Sequence, residues 1–249
     1  MTTDARLSYR RDWNAALTAL RRLLVDPNDT AQVFRIMRAL NVDTAKKGYE
    51  RLLKTEEGGR IAYDRAELAE RFSDPAFVAS FPEGSVGAAY AAFLGKTGYS
   101  AQGLAMVSRS DDDTREARHP FAWFGRRQRD THDIWHVLTG YRADDPLGEA
   151  CLVAFSYAQT RGLGWALIAV GSALNALRHP KGRLGVRAIW EGYRLGSRAA
   201  WLPGEDYEKL FAAPLEEARR RLHLARPERY LAAEEALEHG LAEMVPAWT

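Results

Sequence analysis

The sequence predicts an all-α protein, a single multi-helix domain of 249 residues. Apolar residues recur every three or four positions along most of the chain, which is the spacing of one face of an α-helix. No run of alternating β-branched residues is bounded by hairpin turns, as a sheet would require. No repeat, low-complexity tract or linker divides residues 1–249, and a hydrophobic content of 46% is sufficient for one sizeable core.

The amino-terminal half predicts a series of short helices. Residues 28–30 supply capping oxygens for a second helix, and a third follows Asp43. Prolines and glycines interrupt residues 58–84, and a helix rich in small residues is expected from about Val86 to Leu94. The first helix carries its apolar residues at helical spacing: Trp13, Leu17, Leu20, Leu23 and Leu24.

The middle of the chain predicts two helices joined by a short connection. A strongly polar segment, residues 108–119, is expected to be a solvated surface loop. Pro120 suits the first turn of a helix that runs to about Thr139, where Gly140 ends it. Asp145-Pro146 provides the N-cap and first residue of the next helix. Four arginines near these helices are expected to solvate a helix face: Arg126, Arg127, Arg129 and Arg142.

The longest apolar run, Gly162 to Leu177, predicts a buried central helix. It contains 16 residues, including Asn175 and several small side chains, and is flanked by Arg161 and Arg178. A membrane-spanning helix needs about 20 apolar residues. The run therefore favours a core helix over a transmembrane segment.

Composition excludes some classes of function. The formal net charge of +2 gives no strong electrostatic case for nucleic acid as a partner. With Cys151 as the only cysteine, the chain can form neither an internal disulfide nor a cysteine-based zinc site. Residues 1–10 lack the apolar core and cleavage site of a secretory signal, which predicts a cytoplasmic bacterial protein.

The most informative motif is H-D-x-x-H at residues 132–136, followed by Glu149. His132 and His136 lie one helical turn apart on the same face, and Asp133 borders that face. Imidazole nitrogens and carboxylates are ligands for zinc, iron or manganese. The motif therefore predicts a metal site on one helix and the start of the next, with His132, Asp133, His136 and Glu149 as ligands.

Other interpretations of the motif remain open. Two histidines can also pack in a helical core with their imidazoles hydrogen-bonded. The H-E-x-x-H motif of zinc proteases has its glutamate where this chain has Asp133, and HD phosphohydrolases need a further upstream histidine. The remaining histidines have no partner at ligand spacing and are expected at the surface or in caps: His119, His179, His223 and His239.

The motif, in the segment RDTHDIWHVLTGY, resembles the Coq4 family of ubiquinone-biosynthesis proteins. The hallmark of that family is H-D-x-x-H followed by a glutamate after eleven residues, whereas twelve residues separate His136 from Glu149 here. A second segment, YRLGSRAAWLPGEDYEKL at 193–210, resembles the family's glycine-containing stretch that leads to an acidic-aromatic-acidic triplet. The resemblance extends over about residues 75–225.

The resemblance implies one helical domain with a divalent metal, which is zinc, manganese or iron. It implies that the metal ligands are also the catalytic residues: His132, Asp133, His136 and Glu149. It implies oxidative decarboxylation of a polyprenyl hydroxybenzoate-type precursor at ring carbon C1, coupled to hydroxylation, with O₂ as a co-substrate. The implied partners are that precursor, other ubiquinone biosynthesis proteins and a membrane surface, here the bacterial inner membrane with peripheral attachment. A homodimer is left open.

A physical hypothesis for this chemistry has the metal as a Lewis acid on the ring hydroxyl and carboxylate. A groove for the prenyl tail is expected beside residues 162–177, where small side chains leave room. The rival class of function is a non-catalytic scaffold that binds prenyl lipid and organises the biosynthetic complex. A metal-dependent phosphohydrolase is a third alternative.

Overall fold

The computed structural model describes residues 10–26, 29–98, 106 and 119–244, which form α-helices joined by short turns. Within these ranges no β-strand occurs, and Ser85 and Pro214 form only an isolated bridge. The all-α prediction is therefore confirmed. The polar segment 108–118 lies outside the described residues.

The described residues up to Gly98 form seven helices. They are α1 (Trp13–Val25), α2 (Thr30–Leu40), α3 (Thr44–Leu52), α4 (Glu56–Asp64), α5 (Leu68–Phe72), α6 (Pro75–Ala79) and α7 (Val86–Thr97).

The helices after the polar segment contain the motif and the most buried part of the chain. They are α8 (Pro120–Asp130), α9 (His132–Thr139), α10 (Pro146–Thr160), α11 (Leu163–Ala176), α12 (Gly182–Arg198), α13 (Tyr207–Ala212), α14 (Leu215–Arg221) and α15 (Glu228–Met244), with a 3₁₀ turn at Leu202–Gly204 before α13.

Helix α10 lies at the centre of this second part and is buried along most of its length. Helix α12 packs closely along it because two glycines remove the side chains that would separate the backbones. A Cβ atom at Gly192 would lie 2.4 Å from the carbonyl oxygen of Cys151, and one at Gly196 would lie 2.6 Å from that of Phe155. This close packing holds α10 in place, and with it the first turn that carries Glu149.

The single helix expected from Pro120 to Thr139 is divided at Thr131 into α8 and α9. The hydroxyl of Thr131 donates to the carbonyl of Gln128 at 3.3 Å. It therefore competes with backbone amides for the hydrogen bonds of a regular helix. The chain nevertheless continues in nearly the same course, since the amide of Trp135 still donates to the carbonyl of Thr131. The predicted end is confirmed, because Gly140 has a φ of 81° and closes α9.

The start of α10 also follows the prediction. Asp145 is the N-cap, and its carboxylate accepts hydrogen bonds from the amides of Leu147 and Gly148 at 3.1 and 2.9 Å. Pro146 is the first helical residue, where its missing N–H costs nothing. Glu149 therefore lies in the first turn of a well-capped helix.

The prediction that α11 is a buried central helix is wrong for one of its faces. Gly164, Ile168 and Gly171 are buried against the rest of the protein, but Val170 and Leu174 are exposed. The run is apolar on all sides, so its sequence pattern cannot show which side faces the core. Within the described residues, no helix is both long and apolar enough to cross a bilayer.

The arginines of α8 also differ from expectation, because three of them are buried rather than solvated. Arg126 forms a bidentate ion pair with Glu67, with distances of 3.0 and 2.6 Å. Arg127 donates to backbone carbonyls near the 3₁₀ turn, and Arg129 pairs with Asp130 at 2.7 Å. These contacts tie α8 to neighbouring segments.

Candidate metal centre

The structure brings together the side chains of His132, His136 and Glu149. The two imidazoles come from consecutive turns of α9, with ring centroids 5.0 Å apart, and the carboxylate comes from the start of α10. One potential ligand atom from each residue lies within 4.8 Å of the other two. Ligands of a tetrahedral zinc ion lie about 3.4 Å apart, so binding would require these atoms to approach one another by up to about 1.4 Å.

Nδ1 of His136 forms a hydrogen bond that leaves Nε2 to face the site. Nδ1 lies 2.9 Å from the carbonyl oxygen of Tyr141. Because a carbonyl oxygen only accepts hydrogen bonds, Nδ1 carries a proton, and Nε2 is the ring nitrogen that can bind a metal. Nε2 is buried, lies 3.2 Å from Oε1 of Glu149, and forms no hydrogen bond with acceptable geometry. A cation between these two atoms would satisfy both, so the residues present fit a metal ion.

His132 is held from two sides. Its Nδ1 lies 3.5 Å from Oδ1 of Asp133, and its ring stacks on Trp165 of α11 at 6.0 Å, with 11° between the planes. Burial disfavours the charged imidazole, but the carboxylates of Asp133 and Glu149 favour it more strongly, so the pKa of His132 is raised.

Asp133 does not lie with the other three predicted ligands. Its side chain is buried and contacts His132 rather than joining the group formed by His132, His136 and Glu149. A carboxylate in this position can orient an imidazole and increase its basicity, as carboxylates next to metal-bound histidines do. That Asp133 itself binds the metal stays a prediction.

Glu149 is the most open member of the group. Its side chain is 39% exposed, whereas that of His136 is 1% exposed. Burial raises the pKa of Glu149, but the imidazoles of His136 and His132 outweigh this effect, so its pKa is lowered and the carboxylate is ionised. The spacing of twelve residues after His136 still brings Glu149 to the site.

Two aromatic side chains that sequence reasoning missed form the walls of the site. Phe93 of α7 stacks on His136 at 5.9 Å with 16° between planes, and Trp165 stacks on His132. No spacing rule connects residues 93 and 165 with the motif, because helix packing alone brings them there. Trp123 and Trp135, which are closer in sequence, are buried in the core.

The other histidines follow the prediction where their side chains are described. His119 caps α8 by accepting from the amide of Phe121 at 3.2 Å, and His179 and His223 are exposed. The side chain of His239 lies outside the described residues.

Two surface hollows lie away from this centre. One of about 610 Å³ lies between α1 and α2, and one of about 350 Å³ lies between α12 and α15. Neither is lined by His132, His136 or Glu149. The groove for a prenyl tail beside residues 162–177 therefore stays a prediction.

The sequence profile of one protein family matches residues 6–228 of the chain. The family is described as "Coenzyme Q (ubiquinone) biosynthesis protein Coq4". The match includes all the site residues named above.

Individual relatives agree with the family profile. A mitochondrial ubiquinone biosynthesis protein coq4 of Pyrenophora tritici-repentis is 30% identical over 183 residues, which are 72% of this chain and 59% of that protein. A mitochondrial COQ4 homologue of Danio rerio is 28% identical over 182 residues, 72% of this chain and 63% of that protein. The chain thus spans about 60% of the length of these relatives.

A solved structure has a similar fold. The crystal structure of a candidate ubiquinone biosynthesis protein from Nostoc punctiforme PCC 73102 matches with a TM-score of 0.59 and 24% identity. The match covers 85% of this chain and 98% of that one. At this identity, the likeness shows that the helical fold is shared.

The relatives correct the expected location. The prediction of a cytoplasmic protein attached to a bacterial inner membrane is wrong, because the relatives from a fungus and a fish are named as mitochondrial. That prediction relied on the composition of residues 1–10. Targeting signals are recognised by receptors, and this recognition does not depend on the fold. The match over residues 6–228, together with the grouping of His132, His136 and Glu149, shows that the chain belongs to the Coq4 family of coenzyme Q (ubiquinone) biosynthesis proteins.

Proposed function

We propose that this protein is a metal-dependent enzyme of ubiquinone biosynthesis that removes the C1 carboxyl group of a polyprenyl hydroxybenzoate-type precursor and replaces it with a hydroxyl group. The observation that carries the proposal is the unpaired Nε2 of buried His136, which faces the ionised carboxylate of Glu149. Membership of the Coq4 family supports the pathway, and the donor set supports a metal.

His132, His136 and Glu149 would hold one divalent ion, with zinc, manganese and iron all compatible with two nitrogens and a carboxylate. Three protein ligands leave coordination positions open, which distinguishes a catalytic site from a closed structural one. When bound, the ion supplies Lewis acidity toward the hydroxyl and carboxylate of the ring.

The chain's own residues would orient and protect this centre. The carbonyl of Tyr141 keeps the proton on Nδ1 of His136, and Asp133 orients His132. The rings of Phe93 and Trp165 restrict the imidazoles and keep water from one side of them. Because Glu149 is the most exposed member, we expect the substrate ring to approach from its side.

The overall reaction balances with O₂ as the oxidant. The bond between C1 and the carboxyl carbon breaks, CO₂ leaves, and a C1–OH bond forms, which is a two-electron oxidation of the ring. One O₂ and one water are consumed, and hydrogen peroxide is released. The partners in this proposal are the prenylated precursor and other ubiquinone biosynthesis proteins.

The test uses the purified full chain loaded with zinc, manganese or iron in turn and incubated with a prenylated hydroxybenzoate in air. Mass spectrometry is expected to show loss of the carboxyl group and gain of a hydroxyl group, with one peroxide per CO₂. His136→Ala should abolish turnover, while His179→Ala, which removes an exposed histidine elsewhere, should retain it.

The wild-type protein could bind metal and prenylated precursor and still form no product with any of the three metals. That result would favour the non-catalytic scaffold. Hydrolysis of generic phosphoesters by the wild type and not by His136→Ala would favour the phosphohydrolase.

A further inference from the structure

A single peptide unit lies between the metal centre and helix α15. It is the 141–142 peptide, the unit that joins Tyr141 to Arg142. Its carbonyl oxygen accepts the proton on Nδ1 of His136 at 2.9 Å, and its amide donates to the hydroxyl oxygen of Tyr230 at 3.4 Å. Because the C=O and N–H of a trans peptide point in opposite directions, His136 and Tyr230 hold this unit from its two sides.

Tyr230 is itself held firmly. Its side chain is completely buried, and its ring packs edge-on against the ring of Tyr141, with centroids 5.2 Å apart and 78° between the planes. Glu191 of α12 fixes the first turn of α15, because its carboxylate accepts from the amides of Arg229 and Tyr230 at 2.8 and 3.3 Å. These contacts restrict the Tyr230 side chain to a position in which its hydroxyl meets the 141–142 peptide.

The hydroxyl of Tyr230 also contacts the start of the helix that carries Glu149. It lies 3.5 Å from Oε1 of Glu234 and forms a hydrogen bond with Asp145, the N-cap of α10. Burial raises the pKa of Tyr230, and the carboxylates of Asp145 and Glu234 raise it further, so the hydroxyl keeps its proton. It can therefore accept from the 141–142 peptide and donate to a carboxylate at the same time.

Hydrogen bonds on the two sides of one peptide strengthen each other. When the N–H of the 141–142 peptide donates to Tyr230, its carbonyl oxygen becomes more negative and accepts the Nδ1 proton of His136 more strongly. A stronger bond at Nδ1 fixes the imidazole ring and raises the basicity of Nε2, the nitrogen that faces Glu149 at 3.2 Å. The hydroxyl of Tyr230 thus acts on a metal ligand that it does not touch.

We propose that Tyr230 is a positioning residue of the metal centre. Its hydroxyl holds the 141–142 peptide, and this peptide holds the imidazole of His136 with Nε2 toward Glu149. The inference rests on the metal centre of the proposed function, but it does not depend on the decarboxylation. A purely structural role would require only the packing of the Tyr230 ring against Tyr141, so the hydroxyl is the group to test.

The first measurement uses the full chain without metal. Nitrogen-15 NMR of histidine-labelled protein detects the proton on Nδ1 of His136, and His136→Ala assigns the signal by its loss. Tyr230→Phe keeps the ring and removes only the hydroxyl. In this variant the proton signal should move upfield, because a weaker hydrogen bond leaves the proton more shielded.

A matched control removes the hydroxyl of another tyrosine. The hydroxyl of Tyr193 forms a hydrogen bond with Arg161, which is the C-cap of α10 and lies at the opposite end of that helix from Glu149. Tyr193→Phe should therefore leave the Nδ1 signal of His136 unchanged.

The second measurement is metal affinity, at a temperature where all variants are folded. Tyr230→Phe should lower the affinity by about tenfold, the low end of the range for partners outside the ligand shell. Excess metal should restore full occupancy, and the absorption bands of bound Co²⁺ should shift, because they report the geometry of the ligands. Glu67→Gln, which weakens the ion pair with buried Arg126, should lower stability without changing affinity or bands.

Tyr230→Leu, which removes the ring as well, separates the hydroxyl from the packing on Tyr141. The proposal is overturned if Tyr230→Phe keeps the wild-type Nδ1 signal and metal affinity while Tyr230→Leu loses both, since ring packing alone would then position the peptide. Metal binding that requires His136 but is equal in wild type and Tyr230→Phe would overturn this inference and leave the metal centre standing. Wild-type protein that binds no metal, or His136→Ala that binds it normally, would overturn both.

Discussion

Nε2 of His136 lies 3.2 Å from Oε1 of Glu149. Nδ1 of the same imidazole carries a proton, which the carbonyl of Tyr141 accepts at 2.9 Å. The ring nitrogen that can bind a metal and a carboxylate oxygen therefore face each other in a partly buried site. A cation between them would contact both atoms, which is why we regard this pair as the core of the candidate metal centre.

Replacing Glu149 with glutamine tests this pair directly. Glu149→Gln removes the negative charge and leaves a weaker amide ligand at the same size, so metal affinity should fall by at least about 100-fold. Competition with a chelator of known affinity measures the change. Glu228→Gln, which alters an exposed carboxylate paired with Arg226, should leave affinity unchanged. Retention of wild-type affinity by Glu149→Gln would remove Glu149 from the centre.

Substitution of Asp133 distinguishes a ligand from an orienting residue. If Asp133 acts through His132, Asp133→Asn should lower metal affinity by about 10- to 100-fold, yet full occupancy should return when metal is added in excess. A ligand role predicts a larger loss, comparable with that of Glu149→Gln, and a changed coordination number in X-ray absorption spectra. The two roles therefore give different results in one pair of measurements.

The close packing of α12 on α10 predicts a large effect for a single methyl group. In Gly192→Ala, the new Cβ would lie 2.4 Å from the carbonyl oxygen of Cys151, and backbone cannot move aside as a flexible side chain can. We expect a loss of about 1–3 kcal/mol in the free energy of unfolding, measured by denaturant titration. Gly59→Ala is the matched control, since nothing lies within 4 Å of its added methyl group and Gly59 is within helix α4. That variant should gain about 0.5–1 kcal/mol.

The ion pair between Arg126 and Glu67 predicts the cost of removing a charged partner from a buried guanidinium. Glu67→Gln replaces the bidentate carboxylate acceptor of Arg126, whose side chain is 8% exposed, and should lower stability by about 1–3 kcal/mol. Glu70→Gln, in helix α5, which begins directly after Glu67, removes an exposed carboxylate and should have little effect. Equal thermal midpoints for the two variants would show that the pair does not stabilise the fold.

Local sequence patterns were sufficient for most of the helices and for part of the site. Helical spacing, the Asp145-Pro146 start and the Gly140 end depend on neighbouring residues only, and all three appear in the structure. The two histidines on one face follow from the helix period alone.

Tertiary packing decided what local patterns could not. The side of α11 that faces the core depends on which helices lie beside an apolar segment, and its sequence is apolar on both sides. The burial of Arg126 depends on Glu67, which is 59 residues away. The stacking of Phe93 and Trp165 on the histidines, and the placement of Asp133 beside His132 rather than with Glu149, follow from how α7, α9, α10 and α11 pack. The sequence by itself thus determined the helices and the candidate ligands, because these depend on short-range geometry. The assembly and surroundings of the centre were decided only by contacts between distant segments.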